Sequence, residues 1–242
     1  MRREVGGWHS PRLDKWMDIA VYGHHGPALL MFPSAAADFL EYERFMVIKS
    51  VQHLIDAGRL KIYSVNSVNQ DAWLNDQISN PHKGIRQNQY NDYITEEVLP
   101  FIKNDCGGNV AIYTSGVSLG ALMSANIFFR RPDLFAGTLP LSGSYDLKDY
   151  TKGHFDENVY FNSPADYVGR IDDHGMLEHM RASKIVLATG QGKWEKPSRT
   201  VEFSHLLNSK SIPHHLDLWG HDMPHDWTTW RDMYPYFLES FC

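Results

Sequence analysis

The chain reads as an α/β fold, a mostly parallel central sheet with helices on both faces, and two observations predict it. Short apolar runs of strand length alternate with stretches at helical spacing along almost all of the 242 residues. That alternation, from Ala28 to Phe32 through Lys184 to Thr189, is the signature of a mostly parallel sheet wrapped by helices. An apolar content of 43%, with 13% aromatics, is enough to fill a core on each side of such a sheet.

Taken in order, Met17 to Tyr22 and Ala28 to Phe32 read as early strands, with His24-His25-Gly26 as a hairpin turn between them. Phe39 to Ala57 carries helical spacing and closes near Gly58, and Leu60 to Val65 is the next strand. Tyr90 to Ile102 is helical. Val110 to Tyr113 begins a strand that runs into Gly116-Val117-Ser118-Leu119-Gly120, after which Ala121 to Phe129 is an apolar helix stopping at Arg130-Arg131-Pro132. Gly137 to Ser142, Lys184 to Thr189 and His214 to Trp219 complete the strands. Thr200 to Asn208 and Met233 to Phe241 are the remaining helices. No internal repeat or low-complexity tract divides the chain, so residues 1–242 are expected to form a single domain. Asp146 to Arg181 interrupts the alternation and is longer than an ordinary connection, which predicts an excursion over the carboxyl edge of the sheet.

Composition narrows the function. The net charge is −6 with both signs scattered, so no basic face points to nucleic acid and no polybasic or amphipathic block to a membrane surface. A small molecule, neutral or modestly charged, is the expected partner. The N-terminal residues contain two arginines but no apolar run after them, so neither a secretory signal nor a membrane span is read there, and a cytoplasmic location is the simplest expectation. Cys106 and Cys242 are too few for a disulfide framework and lack metal-ligand spacing; both are expected to be free thiols.

The chemistry centres on Ser118. A serine in a tight strand-to-helix turn has its hydroxyl pushed clear of the backbone, and flanking glycines let the chain turn without Cβ clashes. Such a hydroxyl needs an imidazole to take its proton and an acceptor to fix the imidazole's tautomer. In an open sheet with this elbow the chain order is serine, acid, histidine. Of 13 histidines only those after the last strand fit, namely His221 and His225, while His214 and His215 lie within the strand. Strand geometry alone leaves both candidates open. Glu195 is the first carboxylate in the loop after Lys184 to Thr189 and is the expected acid. Asp217, Asp222 and Asp226 are rivals that would have to bend back to reach a neighbouring imidazole. Leu119 N–H at the helix start is one expected oxyanion donor, and Ala35 or Ala36, in the loop after Phe32, is the other. A metal reading, with His221, His225 and Asp222 or Asp226 as ligands, is weakened by Pro224, which breaks the helical spacing of the two imidazoles. No metal or cofactor is expected.

These pieces resemble an α/β-hydrolase of the esterase family that includes esterase D and the mycobacterial mycolyltransferases. The resemblance is carried by Trp8-His9-Ser10-Pro11-Arg12-Leu13, Met17-Asp18, Val21-Tyr22-Gly23, Phe32-Pro33-Ser34 with Glu41-Tyr42-Glu43, and Glu97 to Ile102. It continues through the elbow with Arg131-Pro132-Asp133-Leu134-Phe135 and closes on His225-Asp226-Trp227 with Trp230-Arg231. In such relatives the catalytic histidine opens a His-x-Trp-x-x-Trp segment, which implies His225 rather than His221. The resemblance also implies a carboxylate where Glu195 stands. Ala35-Ala36-Ala37 departs from the glycines more usual there. What it implies is a serine carboxylesterase acting on small carboxylic esters through Ser118, His225 and Glu195. An acyltransferase with the same residues and an alcohol acceptor is the alternative, and a non-catalytic binding protein of the same fold is the third reading. Tyr145, Tyr150, Phe155, Tyr160, Phe161 and Tyr167 are candidates to line an apolar pocket.

Overall fold

In the computed structural model, which describes residues 1–241, one eight-stranded sheet organises the chain. Its strands are β1 (Arg3–Ser10), β2 (Lys15–Tyr22), β3 (Ala28–Phe32), β4 (Lys61–Val65), β5 (Ile112–Val117), β6 (Gly137–Leu141), β7 (Lys184–Thr189) and β8 (His215–Leu218). The spatial order is β1-β2-β4-β3-β5-β6-β7-β8, with β2 antiparallel to both neighbours and every pair from β4 to β8 parallel. The helices are α1 (Glu41–Arg44), α2 (Val47–Ser50), α3 (Gln52–Asp56), α4 (Asn80–Tyr93), α5 (Leu99–Asp105), α6 (Leu119–Arg130), α7 (Lys148–Thr151), α8 (Glu157–Tyr160), α9 (Pro164–Tyr167), α10 (His174–Ala182), α11 (Pro197–Ser209) and α12 (Trp227–Phe241). A π-helical turn, Ile94–Val98, joins α4 to α5.

Successive residues of β3 feed opposite faces of the sheet, as strand geometry requires. Leu30 and Phe32 enter a core built with α4, α5 and α6, whereas Leu29 and Met31 enter one built with α2, α3 and α12. Among the described residues no helix is long and apolar enough to cross a membrane. Cys106 is a free thiol; Cys242, expected to be another, lies outside the described residues.

Several expectations are corrected. His24 to Gly26 does not close a hairpin, because β4 lies between β2 and β3; β2 forms its hairpin with β1, whose polar, exposed residues gave no apolar signal. The helical stretch from Phe39 is broken into three short helices, with Met46 in the left-handed region at φ 66° redirecting the chain after α1. Helix α12 starts at Trp227, six residues before the predicted Met233, and tolerates Pro235 inside it. The long excursion is a series of short helices. Only Asp149 and Tyr150 of residues 146–181 reach the cavity beside Ser118, while Val159, Tyr167, Leu177 and Met180 pack into the core under α6.

One buried ion pair ties the amino half of the sheet to α5. Lys61 Nζ, with its side chain 2% exposed, lies 2.7 Å from Asp105 Oδ2, which also accepts from Tyr63 Oη at 2.8 Å. Burial pushes the Asp105 carboxyl up, but the bonds from Lys61, Tyr63 and Arg2 outweigh it and hold the group below its ordinary value. A carboxyl depressed in the folded state stabilises above its unfolded pKa of about 3.9 and loses that contribution as pH falls through the folded value. Asp105→Asn is therefore expected to cost roughly 3 kcal/mol at neutral pH by stranding the Lys61 ammonium. It should also flatten the acid limb of the stability curve below about pH 4, both read from urea midpoints against pH.

Candidate active site

The chain leaves β3 toward β4 on one side and leaves β5 toward β6 on the other, so the loops after β3 and β5 part at a topological switch point. Ser118 stands at that point. It joins β5 to α6 with φ 56° and ψ −120°, a strained setting for a residue with a Cβ. The flanking glycines serve close approach rather than unusual dihedrals. A Cβ on Gly116 would lie 2.3 Å from Gly120 O, and one on Gly120 would lie 2.3 Å from Phe32 O. The strand, the helix and the loop after β3 can meet only because those two methyl positions are empty.

Ser118 shares one cavity of about 220 Å³ with Leu119, Ser142, Glu195 and His225. Glu195 comes from the loop after β7 and His225 from the loop before α12. His225 Nδ1 and Glu195 Oε2 are 3.1 Å apart, and the Glu195 side chain is only 1% exposed. A carboxylate can only accept, so Nδ1 carries the proton of that bond, and in the neutral ring Nε2 is the nitrogen with the lone pair. The glutamate is held on all sides. Thr189 Oγ1 donates to Oε2 at 3.0 Å, Ser142 Oγ donates to Oε1 at 2.5 Å, and Gly190 N–H adds a longer bond of 3.3 Å to Oε1. Trp230 Nε1 in turn donates to Ser142 Oγ at 2.9 Å, and its ring stands edge-on to the imidazole with centroids 5.0 Å apart.

The two loops are also joined through their backbones. Gln191 N–H donates to Gly220 O, Gly192 N–H to Met223 O and His225 N–H to Lys193 O, at 3.2, 2.9 and 2.9 Å. Gly190 and Gly192 make that contact possible, since a Cβ on either would fall within 2.7 Å of Met223 backbone atoms. Glu195 and His225 are thus placed by one rigid double loop, though 30 residues apart.

The loop after β3 is fastened by the Glu41-Tyr42-Glu43 segment. Ser34 donates to Glu41 through both its backbone N–H, 2.7 Å, and its hydroxyl, 2.6 Å, while Tyr42 Oη donates to Phe32 O at 2.6 Å. Burial pushes the Glu41 carboxyl above its ordinary value, against the two bonds from Ser34. Asn69 and Gln70 draw the carbonyls of Ala35 and Ala36 toward themselves, both at 2.7 Å. With Ser34 N–H on Glu41 and Ala37 N–H on Ser34 O, the N–H groups of Ala35 and Ala36 remain without a partner among the described residues.

The other sequence candidates fall elsewhere. His221 and Asp222 are exposed, Asp226 accepts from Trp227 N–H at the start of α12, and Asp217 lies beside His215 at 3.7 Å. His214 bonds Ser204 Oγ at 2.7 Å. Of the aromatic candidates only Tyr150 lines this cavity. Tyr145 is in the core, and Tyr160, Phe161 and Tyr167 border a separate hollow with Arg130 and Arg170. Sequence reading missed Ser142, Thr189 and Trp230. The second tryptophan of the His-x-Trp-x-x-Trp segment was the available signal for Trp230, but neither hydroxyl had one.

A strained serine at the switch point, beside a carboxylate-bonded imidazole in one cavity, defines an enzyme of the α/β-hydrolase class. The sequence profile of the family described as "Putative esterase" matches residues 57–239, and the chain belongs to that family of carboxylic-ester hydrolases. No curated protein sequence matches. Among solved structures the chain is similar to a ferulic acid esterase, with 18% identity, 98% of this chain and 97% of that one covered, and a TM-score of 0.78. It is similar as well to an S-formylglutathione hydrolase from Staphylococcus aureus, at 16% identity, 99% and 98% coverage and TM-score 0.71. A third is MPT51 of Mycobacterium tuberculosis, at 12% identity, 99% and 97% coverage and TM-score 0.73. At these identities the three support the fold.

Ser142→Ala removes the donor to Glu195 Oε1 and strands the buried indole N–H of Trp230. It is expected to destabilise the fold by about 1–3 kcal/mol and to cut esterase kcat about tenfold, measured by thermal melts and steady-state kinetics. Gly192→Ala should push the two loops apart and lower kcat by up to about a hundredfold with much less effect on KM, which a KM-against-kcat comparison on a simple aryl ester would read.

Proposed function

We propose that the protein is a serine esterase that hydrolyses small carboxylic esters through Ser118, His225 and Glu195. The observation that carries this reading is the Glu195–His225 hydrogen bond, made at the cavity that the strained Ser118 also lines. The cavity, at about 220 Å³, falls below the roughly 300–1,000 Å³ of pockets for drug-sized ligands, which favours short acyl and alcohol groups.

In this mechanism His225 Nε2 takes the Ser118 hydroxyl proton as Oγ attacks the ester carbonyl carbon. The negative charge that develops on the carbonyl oxygen is met by Leu119 N–H, at the unsatisfied start of α6, and by Ala35 or Ala36 N–H. The tetrahedral adduct collapses as the imidazolium gives its proton to the leaving alkoxide, releasing the alcohol and leaving Ser118 acylated. Water then repeats the sequence: His225 takes its proton, the hydroxide oxygen adds to the acyl carbon, and Ser118 leaves with the proton returned from the imidazolium. Glu195 keeps the ring in the tautomer that leaves Nε2 free and stabilises the imidazolium each time it forms. Ser118 Oγ makes no hydrogen bond among the described residues, and this mechanism requires it to meet Nε2 across the cavity the two residues share once an ester is seated.

Ser118→Ala is expected to lower kcat/KM on short aryl esters by at least about a thousandfold while leaving the melting temperature near that of the wild type. Labelling by a fluorophosphonate, mapped by mass spectrometry to Ser118 and absent in the variant, checks the same assignment. Unaltered turnover in Ser118→Ala would refute it.

A further inference from the structure

The cavity shared by Ser118 and His225 carries two cationic side chains that the proposed hydrolysis does not use. Its acidic lining is Glu195, which is committed to His225, and Asp149; its basic lining is Lys196 and Arg199. Both cations converge on one carboxylate oxygen. Arg199 Nη2 lies 2.9 Å and Lys196 Nζ 3.4 Å from Asp149 Oδ2. The Asp149 carboxylate is therefore shared by two cations, while Glu195, the other carboxylate of the cavity, is bonded to His225.

The two contacts differ in strength. Lys196 and Asp149 have side chains 63% and 49% exposed, and an ion pair so placed contributes about 0–1 kcal/mol. Arg199 is 25% exposed and has Asp149 as its only charged partner among the described residues, which leaves most of the five guanidinium N–H donors uncommitted. An incoming carboxylate can draw Lys196 from Asp149 at little cost and take the open fork of Arg199, in the geometry that guanidinium and carboxylate share. Asp149 would then hold Arg199 in place from behind. Lys196 and Arg199 line the same cavity as Ser118, so a carboxylate held by them shares that cavity with the ester carbonyl.

We propose that the substrates are esters bearing a carboxylate close to the scissile bond, bound through Lys196 and Arg199. This rests on the esterase reading above and deepens it. It names as the substrate class monoesters of short dicarboxylic acids, or esters whose leaving group is a hydroxy acid.

Two matched pairs test it: p-nitrophenyl acetate against p-nitrophenyl hemisuccinate, with the charge on the acyl arm, and phenyl acetate against meta-carboxyphenyl acetate, with the charge on the leaving group. Each kcat/KM is divided by the hydroxide-catalysed rate of the same ester. The charged member of at least one pair should be favoured about tenfold or more, mainly through KM. That ratio should shrink in ~0.5 M NaCl, fall about tenfold in Lys196→Gln and invert in Lys196→Glu, both changes at an exposed position that the fold tolerates. If hydrolysis requires Ser118 yet neither pair favours the charged ester, or the preference survives undiminished in Lys196→Glu, this inference alone is overturned. If Ser118→Ala hydrolyses all four esters like the wild type, the esterase reading falls and takes this one with it.

Discussion

The constraint on which the site depends is backbone contact where side chains would ordinarily keep elements apart. β5, α6 and the loop after β3 meet at Gly116 and Gly120, where a single added methyl would sit 2.3 Å from a backbone oxygen. That contact forces Ser118 into positive φ and sets the start of α6 against Phe32 and Pro33. The strain at one residue, of order 1–3 kcal/mol, is offset by the packing of α6, eleven of whose twelve residues are buried. The strained Ser118 at the cavity and the free N–H groups therefore arise together from the same close approach.

The second half of the site uses the same device differently. The loops after β7 and β8 touch through Gly190 and Gly192, and their backbone bonds fix where Glu195 and His225 begin. Side chains then complete the alignment. A carboxylate 1% exposed would be costly if unpaired, yet three donors besides the imidazole surround it. Trp230 links this network to α12, because its indole N–H bonds Ser142 while its ring borders His225. Trp227, the other tryptophan of that segment, stacks on Phe45 at 4.5 Å and meets Tyr42 edge-on at 5.6 Å. Tyr42 reaches back to Phe32 O, so α12 and the loop after β3 are braced by one aromatic chain.

What was legible in the sequence follows from which forces leave a pattern. Continuously buried parallel strands are written as apolar runs, and β3, β4 and β7 stand where those runs predict. Helix α4 is nearly silent because its buried positions include Lys83, Gln87 and Asn91, whose burial is supported by hydrogen bonds rather than apolar contact. Asn91 and Asn126 both bond Asn162, tying α4 and α6 to the segment after α8, and no periodicity records such a network. Strand β1 is hidden for a related reason: as an exposed edge it is polar, and Trp8 and Ser10 are anchored by the Glu97 carboxylate at 2.7 Å each. The Ser118 turn, and Glu195 and His225 as loop residues that meet beside it, could be read, whereas the hydroxyls that hold Glu195 could not, since Ser142 and Thr189 sit at strand ends like many other hydroxyls.

The same reasoning explains why several residues behind the family resemblance never approach the cavity. Glu97 fastens β1, Glu43 bonds Arg3 and Tyr22, and Asp133 pairs with Arg131 just beyond α6. Glu41 lies between the two groups, since its carboxylate holds Ser34 and so leaves the next two N–H groups unclaimed. These carboxylates secure the edges and turns from which the reactive groups project, at places where an apolar contact could not satisfy a backbone donor or a hydroxyl. The sheet and its glycine contacts fix where the loops start, the carboxylates fix how they run, and only a few side chains at the switch point are left free to meet a substrate.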